Sequence, residues 1–180
     1  MVDGLVGSEM CIRDRPQLQK KLDISPTTNP NQTVAELWQN CGLETFLLLE
    51  GIFALAIWDK EKRELWIGRD RAGGRTLYYT VKDSTIWIAP RLKNLSPYHS
   101  KELDLIALRD YLSCAFVPGE RTLWQGVKEL RPGKFIHFAD KFETHPQLTY
   151  WQPQTQVKNA NKPIEYHLSL ILISEPTRPS

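Results

Sequence analysis

The sequence predicts an α+β domain: a partial four-layer αββα sandwich in which two antiparallel sheets stack face to face with helices outside. Three observations predict it. Ile52 to Trp58 is an unbroken apolar run, which suits a strand covered on both faces. Strand-like segments follow one another between short turns from 52 to 89. Helical periodicity precedes them at 32–49 and returns at 103–112.

Each element has a local cause. Residues 16–31 are polar and interrupted by Pro16, Pro26 and Pro30, so they read as loop. Gln32 to Cys41 puts Val34, Leu37, Trp38 and Cys41 on one helical stripe, with Gly42 as the stop. Leu43 to Leu49 makes a second short helical turn. Asp59 to Arg63 is a solvated hairpin connection, and Glu64 to Arg69 returns antiparallel to the apolar strand. Ala72-Gly73-Gly74 supplies positive-φ positions for a tight turn. Thr76 to Val81 is a third strand, Lys82-Asp83-Ser84 turns, and Thr85 to Ala89 is a fourth. In nearest-neighbour order these four strands form a meander.

After Pro90 the texture changes. Arg91 to Leu95 reads as one helical turn. Leu103 to Tyr111 begins a helix with Leu105, Leu108 and Leu112 on one face and Asp104 as N-cap. Val117-Pro118-Gly119, Thr122-Leu123-Trp124 and Val127 to Pro132 lead to a turn at Gly133. Lys134 to Ala139 alternates as a half-buried strand, with Leu148 to Trp151 as its partner. Residues 152–163 are rich in Gln, Asn, Lys and Pro and read as a linker. No internal repeat is present.

Composition bounds the function. An apolar content of 41%, with six each of Trp, Tyr and Phe, indicates a globular chain. Lys plus Arg (23) nearly balance Asp plus Glu (21), and no basic stripe interleaves with aromatics, which argues against nucleic acid. Cys11, Cys41 and Cys114 lack metal-ligand spacing, so no metal site is expected and a reducing, cytoplasmic compartment is. No apolar run approaches the ~20 residues needed to span a bilayer.

The two ends have a different character. MVDGLVGSEMCIRDR (1–15) has neither signal-peptide features nor periodicity, and SLILISEPTRPS, within about 169–180, dissolves into prolines. Both resemble translated sequencing-adapter DNA; native disordered termini are the alternative. The expected organisation is a non-native or disordered tail at 1–15, a partial domain at 16–151, a linker at 152–168 and a second such tail at 169–180.

The stretch GIFALAIWDKEKRELWIGRDRAGGRTLYY (51–79) resembles a segment of glutamine-hydrolysing asparagine synthetases. That family has a form close to G-x-F-A-F-A-x-W-D followed by x-R-D-R-x-G-x-x-P-L-Y-Y. LDLIALRDYL, FVPGERTLWQGVKELRPG and Tyr150-Trp151 resemble it too, so the likeness covers about residues 32–151. It implies the C-terminal part of a class II glutamine amidotransferase domain, with the fold of N-terminal-nucleophile hydrolases. It also implies a following synthetase domain that uses ATP and Mg to adenylate aspartate. An amino-terminal Cys would release ammonia from glutamine, its own α-amine serving as base.

Several of that family's parts have no counterpart in this chain. No Cys stands at position 1 or 2. The Arg-Gly-Pro and Asn-Gly-Glu segments are missing before residue 32, and Asn29-Pro30-Asn31-Gln32 stands where Ser-Asp-Thr-Glu would fall. The pyrophosphate loop would lie beyond residue 168. The resemblance therefore implies no catalytic residue here and no cofactor in this chain, with ATP and Mg belonging to the parent. The implied partners are the absent N-terminal segment and synthetase domain, with glutamine and aspartate as the parent's substrates. The expected function is a fragment of an asparagine synthase-like ligase. The alternative is a degenerate, non-catalytic docking domain of another ATP-dependent amide-forming enzyme.

The positions that match the family motif are Arg69, Asp70, Arg71, Gly73, Leu77, Tyr78 and Tyr79, read as structural. Asp70 is expected to accept backbone N–H bonds while the arginines face solvent. Gly74-Arg75-Thr76 departs from the usual Ile-Lys-Pro. Cys41 and Cys114 read as small buried hydrophobes. Trp58, Trp66, Trp87 and Trp124 read as core or inter-layer packing, and no catalytic role falls to His99, His137, His145 or His167. Val117-Pro118-Gly119 and Arg131-Pro132-Gly133 are candidate interface turns. Without its leading strands the fragment would bare a sheet edge and aggregate.

Overall fold

The computed structural model describes residues 29–139 and 146–153, together with the backbone of 11–12. The expected tail and linker at 1–15 and 154–180, the loop at 16–28, and His145 and His167 otherwise lie outside the described residues.

Strand β1 (Cys11–Ile12) is followed by helix α1 (Pro30–Cys41). The Asn29 side chain accepts from the Asn31 amide at 3.0 Å, and Pro30, which has no N–H to leave unpaired, opens the helix. Gly42 ends it at φ 55°. A 3-10 turn then leads into α2 (Thr45–Leu48). Next come β2 (Gly51–Ile52), β3 (Ala54–Asp59), β4 (Glu64–Arg69), β5 (Tyr78–Lys82) and β6 (Thr85–Ala89). A 3-10 turn at Leu92–Leu95 and helix α3 (Leu105–Cys114) follow. The described chain finishes with β7 (Val127–Glu129), β8 (Lys134–Phe138) and β9 (Leu148–Thr149).

The fold is α+β with antiparallel sheets. The four central strands do not form one meander. The β3–β4 hairpin belongs to a sheet of order β3-β4-β8-β9, whereas β5–β6 belongs to a separate sheet of order β6-β5-β7. Alternation along a strand says which face is apolar. It does not say whether successive hairpins join edge to edge or stack. Here they stack.

Registry shows what each face does. Phe53, Leu55 and Ile57 pack against Val34, Leu37, Trp38 and Phe46 of the helices. Ala54 and Ala56 face the other way and, with Ile67, Ile136 and Phe138, meet Tyr79 of the second sheet and Leu77 and Leu130, which flank its strands. The apolar run is thus covered on both sides from Phe53 to Ile57. Its first residue, Ile52, departs from the expectation: it is exposed and pairs with Cys11 in the separate β1–β2 ribbon. A third cluster of Ala89, Leu95 and Val127, flanked by Trp87, Tyr98 and Trp124, covers the outer face of the second sheet. Each buried Phe, Leu or Ile contributes roughly 1.5–3 kcal/mol.

Gly68 marks the tightest contact between helix and sheet. A Cβ there would lie 2.1 Å from Phe46 Cε1, so only glycine lets that ring lie flat on the strand. Trp58, Trp66, Trp87 and Trp124 line the layers as expected, each half-buried. The cysteines do not sit as expected. Cys41 is half-buried, and Cys114, the last residue of α3, is exposed.

Candidate functional site

The chain crosses from the first sheet to the second at Arg69-Asp70-Arg71, and every residue of that crossing is held. Asp70 is fully buried. Its Oδ2 accepts from the Phe53 amide at 3.3 Å; its Oδ1 accepts from the Ala72 and Gly74 amides at 2.9 and 3.2 Å. Its carbonyl oxygen takes the Gly73 and Gly133 amides, and its own amide donates to the Phe53 carbonyl. A carboxylate so occupied has no lone pair directed at solvent.

Arg69 corrects the expectation of a solvent-facing side chain, being only 4% exposed. The alternation of β4 turns it toward the second sheet. There its guanidinium donates to Glu129 Oε1 at 2.6 Å, to the Leu130 carbonyl at 2.7 Å and to the Gly73 carbonyl at 2.8 Å. Arg71 is half-buried and donates to the Leu47 carbonyl at 2.7 Å, tying the crossing to α2. Gly73 takes the expected positive φ, 69°. Gly74 does not. It is needed for space, since a Cβ there would come 2.7 Å from Ile52.

The remaining motif positions divide. Leu77 and Tyr79 enter the inter-sheet core, while Tyr78 packs on the opposite face of β5. Burial pushes the Tyr79 hydroxyl up to about 12, and burial is also the main cause of the upward shifts at Tyr78 and Tyr150. All three phenols are neutral at ordinary pH, and those of Tyr79 and Tyr150 are hydrogen-bonded.

Sequence reasoning missed the residues that lock this crossing. Gln147 donates to the Tyr79 hydroxyl oxygen at 3.3 Å and to the Glu129 carbonyl at 2.8 Å, and its side-chain oxygen accepts from the Arg131 amide at 3.0 Å. The Tyr150 hydroxyl donates to the Arg69 carbonyl, while the Tyr150 and Trp151 amides both reach the Gly133 carbonyl. Arg131-Pro132-Gly133, read from sequence as an interface turn, is therefore built into the crossing. The only signal in the sequence was the Tyr150-Trp151 pair, which indicated a likeness but no partner.

Neither Cys41 nor Cys114 is among the partners named above for Arg69, Asp70 and Arg71, and among the described residues no three His, Cys, Asp or Glu side chains converge to hold a metal. His137 stacks on Trp66 with centroids 3.8 Å apart, near Glu64. A cavity of about 450 Å³ beside it is lined by Trp38, Asp59, Lys62, Glu64 and Trp66. It lies at the opposite end of β4 from Arg69, about 17 Å away at the rise of a strand. No helix among the described residues is long and apolar enough to cross a membrane.

The family model of the glutamine amidotransferase domain matches residues 13–151. Asparagine synthetase [glutamine-hydrolyzing] 1 of Bacillus subtilis is 32% identical over 120 residues, covering 66% of this chain and 19% of that protein. A putative asparagine synthetase [glutamine-hydrolyzing] of Mycobacterium tuberculosis is 30% identical over 174 residues, 91% of this chain and 26% of that protein. Amidase chry2 of Gibberella zeae is 30% identical over 154 residues, 83% of this chain and 22% of that protein. The chain thus spans about a fifth to a quarter of the length of these relatives.

Proposed function

Since the chain belongs to the glutamine amidotransferase domain family and is related to glutamine-hydrolysing asparagine synthetases, we propose that it is the later part of the amidotransferase domain of an asparagine synthase-like ligase. The carrying observation is the family match, which ends within two residues of β9. The parent reaction is ATP-dependent amidation of aspartate with glutamine as nitrogen donor. The stacked sheets with helices against the first belong, on this reading, to an αββα sandwich of the N-terminal-nucleophile hydrolase type.

In this assignment the crossing at Asp70 is scaffold. It fixes the two sheets against each other so that a nucleophile elsewhere meets its substrate in one geometry. The nucleophile is an amino-terminal Cys outside this sequence. Mg-ATP is assigned to a synthetase domain reached through the linker at 152–168. One feature supports that assignment: the Gly73-Gly74 turn runs into a strand, which presents no helix N-terminus to a phosphate. A cytoplasmic setting is supported by the free thiols Cys41 and Cys114.

One observation favours a second reading. Residues 29–32 form a helix cap with no carboxylate, where the family's acidic substrate-binding segment would fall. A degenerate docking domain beside a different amide-forming centre fits that observation. The uninterrupted gene and two assays separate them. On the first reading the full-length protein begins Met-Cys, releases glutamate from glutamine and makes asparagine with aspartate and ATP, while the 180-residue chain stays at blank. Turnover by the short chain, or a full-length protein without that Cys, overturns it.

A further inference from the structure

Helix α3 is built securely but faces the wrong way for a core element. Asp104 caps it by accepting from the Ile106 and Ala107 amides, both at 3.0 Å, and is itself held by Arg121 at 3.0 Å. Backbone bonds from Asp104 to Leu123 and from Gln125 to Glu102 pin its entry to the following loop. Yet Ala107 is the only residue of the helix that is fully buried. Leu105 is 74% exposed and Leu112 75%, with Ile106, Tyr111 and the adjoining Phe116 also exposed.

That arrangement is physically unbalanced. A ten-residue helix is shorter than the ~12–15 residues at which isolated helices become even marginally stable, so its stability must come mainly from packing an apolar face. Here Leu105 and Leu112 face away from the chain's own core, with Leu108 between them half-buried. With the adjoining Phe116 they bare on the order of 400 Å² of surface, the range of the largest apolar patch on a typical monomer, which is often functional. The Arg109 guanidinium on the same helix is paired with Asp110 at 2.7 Å, so covering this side would not strand it as a lone charge.

We propose that this face of α3 is where the polypeptide C-terminal to residue 153, the synthetase domain of the proposed function, docks on the amidotransferase part. The occupant is argued from length: aligned stretches covering 66–91% of this chain make up only 19–26% of its relatives, so the bulk of a relative lies outside what is described. An intramolecular partner also suits a patch of this size. It is smaller than the ~800 Å² per side of a standard interface between separate molecules, and tethering supplies the missing affinity as effective concentration.

The inference rests on the proposed function, and the test separates the two. Amide hydrogen exchange of residues 103–116 is compared between the 180-residue chain and the full-length protein, with asparagine formation measured on the same full-length sample. The expected result is at least tenfold slower exchange across α3 in the full-length protein. A Leu105→Glu/Leu112→Glu variant of full length should return it to the short-chain rate while β3 and β4 stay protected. Equal exchange in both proteins overturns the docking surface even if asparagine is made. Protection without asparagine formation supports the surface and sinks the function. Protection that appears in the short chain as its concentration rises identifies a second copy as the occupant and overturns the proposal. Should the double variant fail to fold, the comparison of the two unsubstituted proteins still decides.

Discussion

The Tyr150 hydroxyl donates to the carbonyl oxygen of Arg69 at 2.7 Å, across 81 positions of sequence. The bond joins the strap after β9 to the place where the chain changes sheets. Beside it the Tyr150 ring stacks on Phe46 with centroids 5.7 Å apart. One side chain therefore ties helix, sheet and crossing together.

Tyr150→Phe keeps the ring and removes the donor, taking that hydrogen bond from the carbonyl of a nearly buried residue. The expected loss is about 1–2 kcal/mol in urea unfolding. An unchanged midpoint would mean that stacking alone holds the strap.

Asp70→Asn is expected to cost more. One carboxylate oxygen becomes an NH₂ that must face backbone N–H donors, and a charge between Arg69 and Arg71 is lost. A loss of about 2–4 kcal/mol follows, read by denaturant titration with far-UV circular dichroism. Wild-type stability in this variant would show that the crossing is held by something other than its carboxylate.

Gly68→Ala drives a methyl group into the Phe46 ring and should destabilise by about 1–3 kcal/mol. Making Phe46→Leu in the same protein should recover part of that loss, because the two sites share one contact. Strict additivity of the two changes would place the cost elsewhere.

Alkaline stability follows from the tyrosines. Burial raises Tyr79 to about 12, and raises Tyr78 and Tyr150 as well. In the unfolded chain each would titrate near 10. The unfolded state therefore loses these protons first, so their contribution is full below pH 10 and is lost as pH rises from 10 toward 12. Tyrosinate absorbance should rise in two stages, the second coinciding with loss of near-UV circular dichroism. A single transition near pH 10 with the fold intact would contradict that burial.

Much of the architecture was legible in local pattern. The caps at Asp104 and Gly42, the β3–β4 and β5–β6 hairpins, the two-sided burial of Phe53 to Ile57 and the pairing of β8 with β9 each follow from periodicity or turn chemistry within a short window. Asp70 as an acceptor of backbone bonds was legible too, from its place beside a glycine turn. The orientation of Arg69 was not. Arginine ordinarily seeks water, and only the Glu129 carboxylate and two carbonyls make its burial tolerable.

What the amino-acid order determined unaided was the set of elements, their apolar faces and the family likeness, because these depend on residues within a turn or two of one another. The tertiary structure decided that the hairpins stack rather than pair, that Glu129, Gln147 and Tyr150 close on the crossing, and that Leu105 and Leu112 of α3 look outward. Partners 60, 68 and 81 positions apart leave no periodic trace in the chain. They meet only once two sheets have packed and the backbone has passed between them.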